Sequence, residues 1–447
     1  MRKFFDIIIV ISLVFLTSCE GSSSTIQPSS VAKLSTFSFA KVDSMPGLAA
    51  AVFTVEERLD TGLVWNKDSI LFGTRLDSVV PRFTFAATPG AAWLTFPDTL
   101  VRLTGYDTLD FTQRPIYLTI RSQDNSTLKT YEIRATVHQV DPDLYEWTTL
   151  TDAIYPADDS EQRVVELNGD FVMLVYNGYE LRAYRSHDGA SWTNLRALNG
   201  LPAGTKVRQI ISDGTMLYYG QGNTVYTSAD VQNWTANNVS EEVVTMLLYW
   251  NACVWALVGE EDNYELATFA DGALTRSGLK PNGEFPISDF AAVSFLSASD
   301  RKRALIIGGF AENGRSLNTR WSLEYVQYAE HAVGEYRMEE FSIDRPTFHS
   351  LTGISVIDYN DQLLLFGGVD DKMTYLGRDI LYSVNEGLTW LPADTTKNRL
   401  PDTYQARQKQ NAIVRDNYIY LFGGQDGSTT YSDVYRGHLN SIDWDNN

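Results

Sequence analysis

Two cysteines, five histidines and a few carboxylate clusters are the groups in this chain that could ligate a metal or move a proton. The histidines, His138, His187, His331, His349 and His438, are scattered, with no pair at metal-ligand spacing. Cys253 sits in the apolar run ACVWALV and reads as a small buried core residue. The other cysteine, Cys19, lies near the start of the chain, so a cysteine-based metal site is excluded. Glu260-Glu261-Asp262 and Asp370-Asp371 carry the oxygens that calcium or acid–base chemistry needs, but such charge runs are more often solvated loops. No phosphate-binding G-x-x-x-x-G-K-[ST], nucleophile-elbow G-x-S-x-G or zinc-binding H-E-x-x-H is present. The expectation is therefore no catalytic residue, no metal and no cofactor. Among the aromatics, Trp250 and Trp255 could stack on sugar faces, and core packing is the competing role.

The elements that would position any site are strands. Over 447 residues the chain holds 24 Tyr, 21 Phe and 10 Trp, and Leu-rich helical periodicity is nearly absent. Residues 362–390 read QLLLFGGVDDKMTYLGRDILYSVNEGLTW: an apolar run, the pair Gly367-Gly368, a loop, a second run and Trp390. The same order returns with Gly423-Gly424 and Trp444, 56 residues later, and Gly308-Gly309 stands 59 residues before Gly367-Gly368. Three more degenerate units precede these, two of them with a tryptophan, Trp192 and Trp234. Repeats of this length built from short strands indicate a propeller, here of six units. Glycine lets the chain turn at positive φ where a side chain would strike the next blade, and tryptophan fills the wedge between blades. Tyr145-Glu146-Trp147-Thr148 precedes the first unit and has no unit of its own. It reads as the outer strand of the last blade, closing the ring.

These units resemble the kelch propeller family, in which a Gly-Gly pair ends the second strand and a Trp begins the fourth. Gly367-Gly368 with Trp390 and Gly423-Gly424 with Trp444 match best; after Gly308-Gly309, Trp321 comes too early. Ser383-Val384-Asn385-Glu386-Gly387-Leu388-Thr389-Trp390 also resembles the Asp-box turn of sialidase-type propellers, with Asn for Asp, and Ser186 to Trp192 is the same turn one residue short. Asp boxes lie away from catalytic sites, so this likeness implies a propeller and not a sialidase. The sialidase Arg-Ile-Pro is missing, with Arg345-Pro346 alone in mid-chain. The histidines do not supply the copper site of galactose oxidase. A kelch-type sugar mutarotase or epimerase is the enzymatic alternative, with no residue assignable to its acid/base pair.

Before the repeats come three segments. Residues 1–18 read as a signal peptide, with Arg2 and Lys3 ahead of the apolar run Ile7–Leu16, which is too short for a mature span of about 20 residues. Leu16-Thr17-Ser18-Cys19 resembles the bacterial lipobox, which implies cleavage before Cys19 and a membrane anchor through lipid on its sulfur. Residues 19–33 are Ser-rich and form a tether with a reach of about 20 Å. Residues 34–141 alternate like a β domain of about seven strands, closed by a hairpin around Asp124-Asn125, and fit an Ig-like β-sandwich. Residues 142–447 are the propeller, so the fold class is all-β: an Ig-like sandwich followed by a six-bladed kelch-like propeller. As a whole the chain resembles Bacteroidetes-type lipoproteins of this build.

Formal net charge is -20, with 42 acidic and 23 basic residues in 142–447. Such a surface repels a phosphate backbone, so no nucleic acid is expected as partner. The expected role is a non-catalytic binding module for a glycan or an envelope protein, with a structural scaffold as a further alternative. The negative charge suggests a neutral or cationic ligand at the propeller mouth. Glu20 after the cysteine favours the outer membrane, and either of its faces fits.

Overall fold

The structure is a computed structural model that describes residues 27–155, 161–195, 198–260, 263–327, 334–342, 350–427 and 429–441. Backbone contacts divide the chain into two compact units, one ending at Asp141 and one beginning at Pro142.

In the first unit Leu34–Phe39 pairs with Pro81–Phe85 as a two-stranded sheet. A six-stranded sheet runs in the order Thr54–Glu56, Thr61–Trp65, Leu128–Arg134, Ile116–Arg121, Ala91–Thr95, Leu100–Arg102. Thr61–Trp65 and Leu128–Arg134 are parallel, and the other pairs are antiparallel. Alternation sends Ile116, Leu118 and Ile120 inward, where they meet Phe37 and Phe39 of the small sheet in one core. Each such side chain contributes about 1.5–3 kcal/mol on burial. The closing hairpin turns where the sequence places it: Asn125 has φ 62°, and Asp124 Oδ1 accepts from the Ser126 backbone N–H at 2.9 Å.

The second unit is built of sheets that each begin at a common centre. Four strands, Glu161–Leu167, Asp170–Tyr176, Leu181–Ser186 and Thr193–Asn194, form the first. A six-stranded sheet follows, from Ile211–Ser212 to Ala273–Arg276, in which the 16-residue strand Thr235–Trp250 is continuous. It pairs through its first half with Leu217–Ser228 and through its second with Cys253–Val258. The next two sheets start with Ala291–Leu296 and Ser355–Tyr359. The last contains Asn411–Arg415, Tyr418–Asp426, Thr429–Leu439 and, as its outer strand, Tyr145–Thr151.

The inner strands neighbour one another in cyclic order, from Glu161–Leu167 through Ile211–Ser212, Thr235–Trp250, Ala291–Leu296 and Ser355–Tyr359 to Asn411–Arg415, which returns to Glu161–Leu167. The unit is thus a β-propeller. Apolar side chains fill the space between successive sheets: Val164, Phe171 and Met173 of the first pack against Tyr420, Phe422 and Val434 of the last. Arg415 adds to this seam, its guanidinium 3.8 Å from the Phe171 ring and donating to the Gly169 carbonyl at 3.1 Å. Trp147, on the closing strand, lies over Gly437, where a Cβ would come within 2.5 Å of the indole.

Candidate functional site

The three glycine pairs share one geometry. All six residues have positive φ, from 50° at Gly423 to 110° at Gly424. A Cβ on Gly308 would stand 2.4 Å from the Leu351 carbonyl, and on Gly367, 2.8 Å from the Arg407 carbonyl. On Gly423 it would stand 2.0 Å from Gln162 Oε1. Each obstacle lies at the entrance to the next sheet, so the glycines set how closely the propeller mouth is drawn together.

Three turns on the outer side carry tryptophans of one kind. In each a serine hydroxyl accepts from a backbone N–H: Ser186 from Gly189 at 2.8 Å, Ser228 from Val231 at 3.0 Å, Ser383 from Gly387 at 2.9 Å. The indole N–H of Trp192, Trp234 and Trp390 then donates to the carbonyl of that same residue. The turn at Ser228 was not legible in the sequence, because Val231 stands at φ 77° where the other two have glycine at 77° and 78°. Trp192 meets Phe422 of the last sheet edge-on, and Trp390 is fully buried.

Two of these turns are acid-sensitive. Backbone N–H groups, that of Ser191 foremost, hold the Asp188 carboxyl below its usual range; the Asn233 side-chain amide and backbone N–H do so for Asp230. A depressed folded-state value gives stability that is present above the unfolded value near 3.8 and is lost as pH falls through the folded one. Urea denaturation between pH 2 and 6 should therefore show a shallower acid decline in an Asp188→Asn, Asp230→Asn variant. An unchanged slope would refute the assignment. Asn385, which fills the equivalent place in the third turn, contributes no such dependence.

A cavity of about 640 Å³ occupies the axis, lined by the first strands of the sheets and the segments leading into them. One end is rich in donors. Arg208 donates to Asp289 Oδ1 at 2.9 Å, and Lys409 Nζ lies 3.4 Å from Asp289 Oδ2, so both oxygens of that carboxylate are engaged. Arg163 has no such partner: among the described residues no carboxylate lies within ion-pair distance of it. Its Nε donates to the Ile210 carbonyl at 3.2 Å and its Nη1 to Asn411 Oδ1 at 3.4 Å. Burial, with repulsion from Arg208, pushes the Arg163 guanidinium down to about 10. Arginine offers only donors, so it fixes Asn411 with its oxygen toward Arg163. Asn411 is 4% exposed, and its Nδ2 has no acceptor among the described residues. Further along the cavity stands Glu166, whose carboxyl is raised by burial.

Several expectations need correction. Trp250 and Trp255 are buried, packed on each other and on Tyr336, so neither can stack on a sugar. Their strands are interior to the six-stranded sheet. Cys253 is half-buried and not a full core residue, with its sulfur 3.8 Å from the Tyr336 hydroxyl. Trp321 belongs to the third strand of its sheet, which is why it follows its glycine pair too soon. The cavity that would meet the expected neutral or cationic ligand is lined by both signs of charge, Arg163, Lys206 and Arg208 with Glu161, Glu166, Asp213 and Asp289.

Cys19, Trp444, His331, His349, Glu261 and Asp262 lie outside the described residues. Asp370 caps its own turn, accepting from the Lys372 and Thr374 backbone N–H groups. Among the described residues no group of three metal-ligating side chains comes together, and no helix is long and apolar enough to cross a membrane.

Residues 29–135 match the DUF6242 N-terminal domain, a domain of unknown function, and residues 141–447 match the DUF6242 beta propeller domain. No curated protein matches the chain in sequence. The solved structure of YjhT is similar to it with a TM-score of 0.42 and 12% identity, covering 64% of this chain and 95% of that one. The match over the whole second unit, together with that over the first, makes this chain a member of the DUF6242 family.

Proposed function

We propose that the chain is a cell-envelope lipoprotein whose propeller is a non-catalytic binding module for a glycan or protein partner. Lipid on Cys19 holds it to the outer membrane, the tether leads from that anchor, and the first unit is an Ig-like sandwich. The sandwich reading rests on two sheets sharing the core around Phe37 and Phe39. The propeller is kelch-like and six-bladed in this reading, with the six-stranded sheet counted as two blades joined through Thr235–Trp250. The observation that carries the binding role is the axial cavity: concave, walled by strands on all sides and lined by fixed polar groups.

A kelch-type mutarotase or epimerase is the second reading, favoured by one feature, the arginine–carboxylate pair Arg208–Asp289 facing the cavity. Against it, Asp289 has both oxygens taken by cations, leaving neither to move a substrate proton. One experiment separates the readings. The full-length chain is screened on a glycan array and, in parallel, monitored by NMR for anomer exchange of free sugars. Saturable capture without exchange is expected. Exchange that Asp289→Asn abolishes would replace the module with an enzyme. In the same preparations Cys19→Ser should move the chain from the detergent phase to the aqueous phase; retention there would refute the anchor.

A further inference from the structure

We propose that Arg163, held by Asn411, forms the recognition point for a single carboxylate, and that the ligand of the axial cavity is a small sugar acid. This rests on the binding-module reading and specifies its ligand. A guanidinium withdrawn from water is costly unless a partner compensates it. Arg208 and Lys409 share Asp289, and Arg208 also donates to the Lys409 carbonyl at 2.8 Å, while Lys206 at the same wall is exposed to water. Arg163 makes only two hydrogen bonds, both to neutral oxygens, and its neighbour Arg208 adds repulsion. Beside it the amide nitrogen of Asn411 is buried without an acceptor. A guanidinium on the cavity wall without an acidic partner is complementary to a carboxylate, which arginine binds through paired N–H groups.

The rest of the lining limits what can carry that carboxylate. Glu161, Glu166 and Asp213 also border the cavity, so a second negative charge on the ligand would be repelled. Glu161 and Glu166 can accept from hydroxyls, and Ser288 and Gln209 add neutral polar contacts. A volume of about 640 Å³ accommodates one or two sugar rings. One acid group with several hydroxyls therefore fits, and an acidic peptide or polyanion does not.

The test is calorimetric titration of the full-length chain with sodium glucuronate, methyl glucoside and inorganic phosphate. Glucuronate should bind saturably, at least roughly 10-fold tighter than methyl glucoside, the scale of a charge-assisted hydrogen bond. Arg163→Met should weaken glucuronate binding by roughly 10- to 100-fold while leaving the melting temperature equal or higher, because an unpaired charge has been removed. Asn411→Asp should also abolish binding and raise the melting temperature by supplying the missing carboxylate internally. The inference is overturned if glucuronate fails to bind, if phosphate binds equally well, or if Arg163→Met destabilises the chain and leaves binding intact. Should neutral glycans bind while glucuronate does not, the sugar-acid assignment alone falls and the binding-module reading stands.

Discussion

Asp433→Ala is expected to destabilise the propeller by about 3–5 kcal/mol, the cost of leaving a buried cation alone. Its partner Arg407 is 1% exposed and binds both carboxylate oxygens, at 2.5 and 3.1 Å. The guanidinium also donates to the carbonyls of Gly423 and Gln405 and lies between the rings of Tyr404 and Tyr431, at 4.4 and 3.9 Å. Burial opposes its charge, and the Asp433 hydrogen bonds outweigh that and raise the group above its ordinary value. Arg407→Met paired with Asp433→Leu should recover much of the loss, since two apolar groups leave no charge unpaired. Guanidinium denaturation of the three chains measures this. If Asp433→Ala costs less than about 1 kcal/mol, the pair is not the compensated charge described.

The second large effect belongs to the glycine pairs. Gly308→Val and Gly367→Val should each cost about 3 kcal/mol or more, combining a β-branched residue at positive φ with a collision against backbone. The collision is what distinguishes them from Gly169, which has φ 81° but open space around its Cβ position. Gly169→Ala should cost only about 1 kcal/mol, the conformational part alone. Thermal or chemical unfolding of the series would show this order. Equal losses at Gly169 and Gly308 would mean that the tight approach to Leu351 has no energetic weight.

The features visible in the sequence are those with a local cause. A residue held at positive φ beside a neighbouring backbone must be glycine, so the pairs at 308, 367 and 423 stand out unaided. A serine, an Asp or Asn and a tryptophan within eight residues are likewise tied by hydrogen bonds inside one turn. Where one member changes, the pattern fades, as at Val231. The cavity had no such signature. Arg163, Arg208, Asp289 and Asn411 come from four separate segments and meet only because the ring closes. Net charge averages over a surface, whereas the cavity samples a handful of side chains of both signs. The burial of Trp250 and Trp255 follows from the sheet that continues on both sides of them, and no spacing announces that.

The closing strand has a consequence for synthesis. Tyr145–Thr151 leaves the ribosome first among the propeller strands, and its partner Thr429–Leu439 leaves last. Glu146 and Asn440, hydrogen-bonded at this seam, are 294 residues apart. At roughly 5–20 residues per second, the first strand waits on the order of fifteen seconds or more for its mate. During that interval its ladder groups and the Val164 face of the first sheet have no native cover. The nascent propeller is therefore an open arc with two adhesive ends, and the emergence of Thr429–Leu439 is what turns it into a ring.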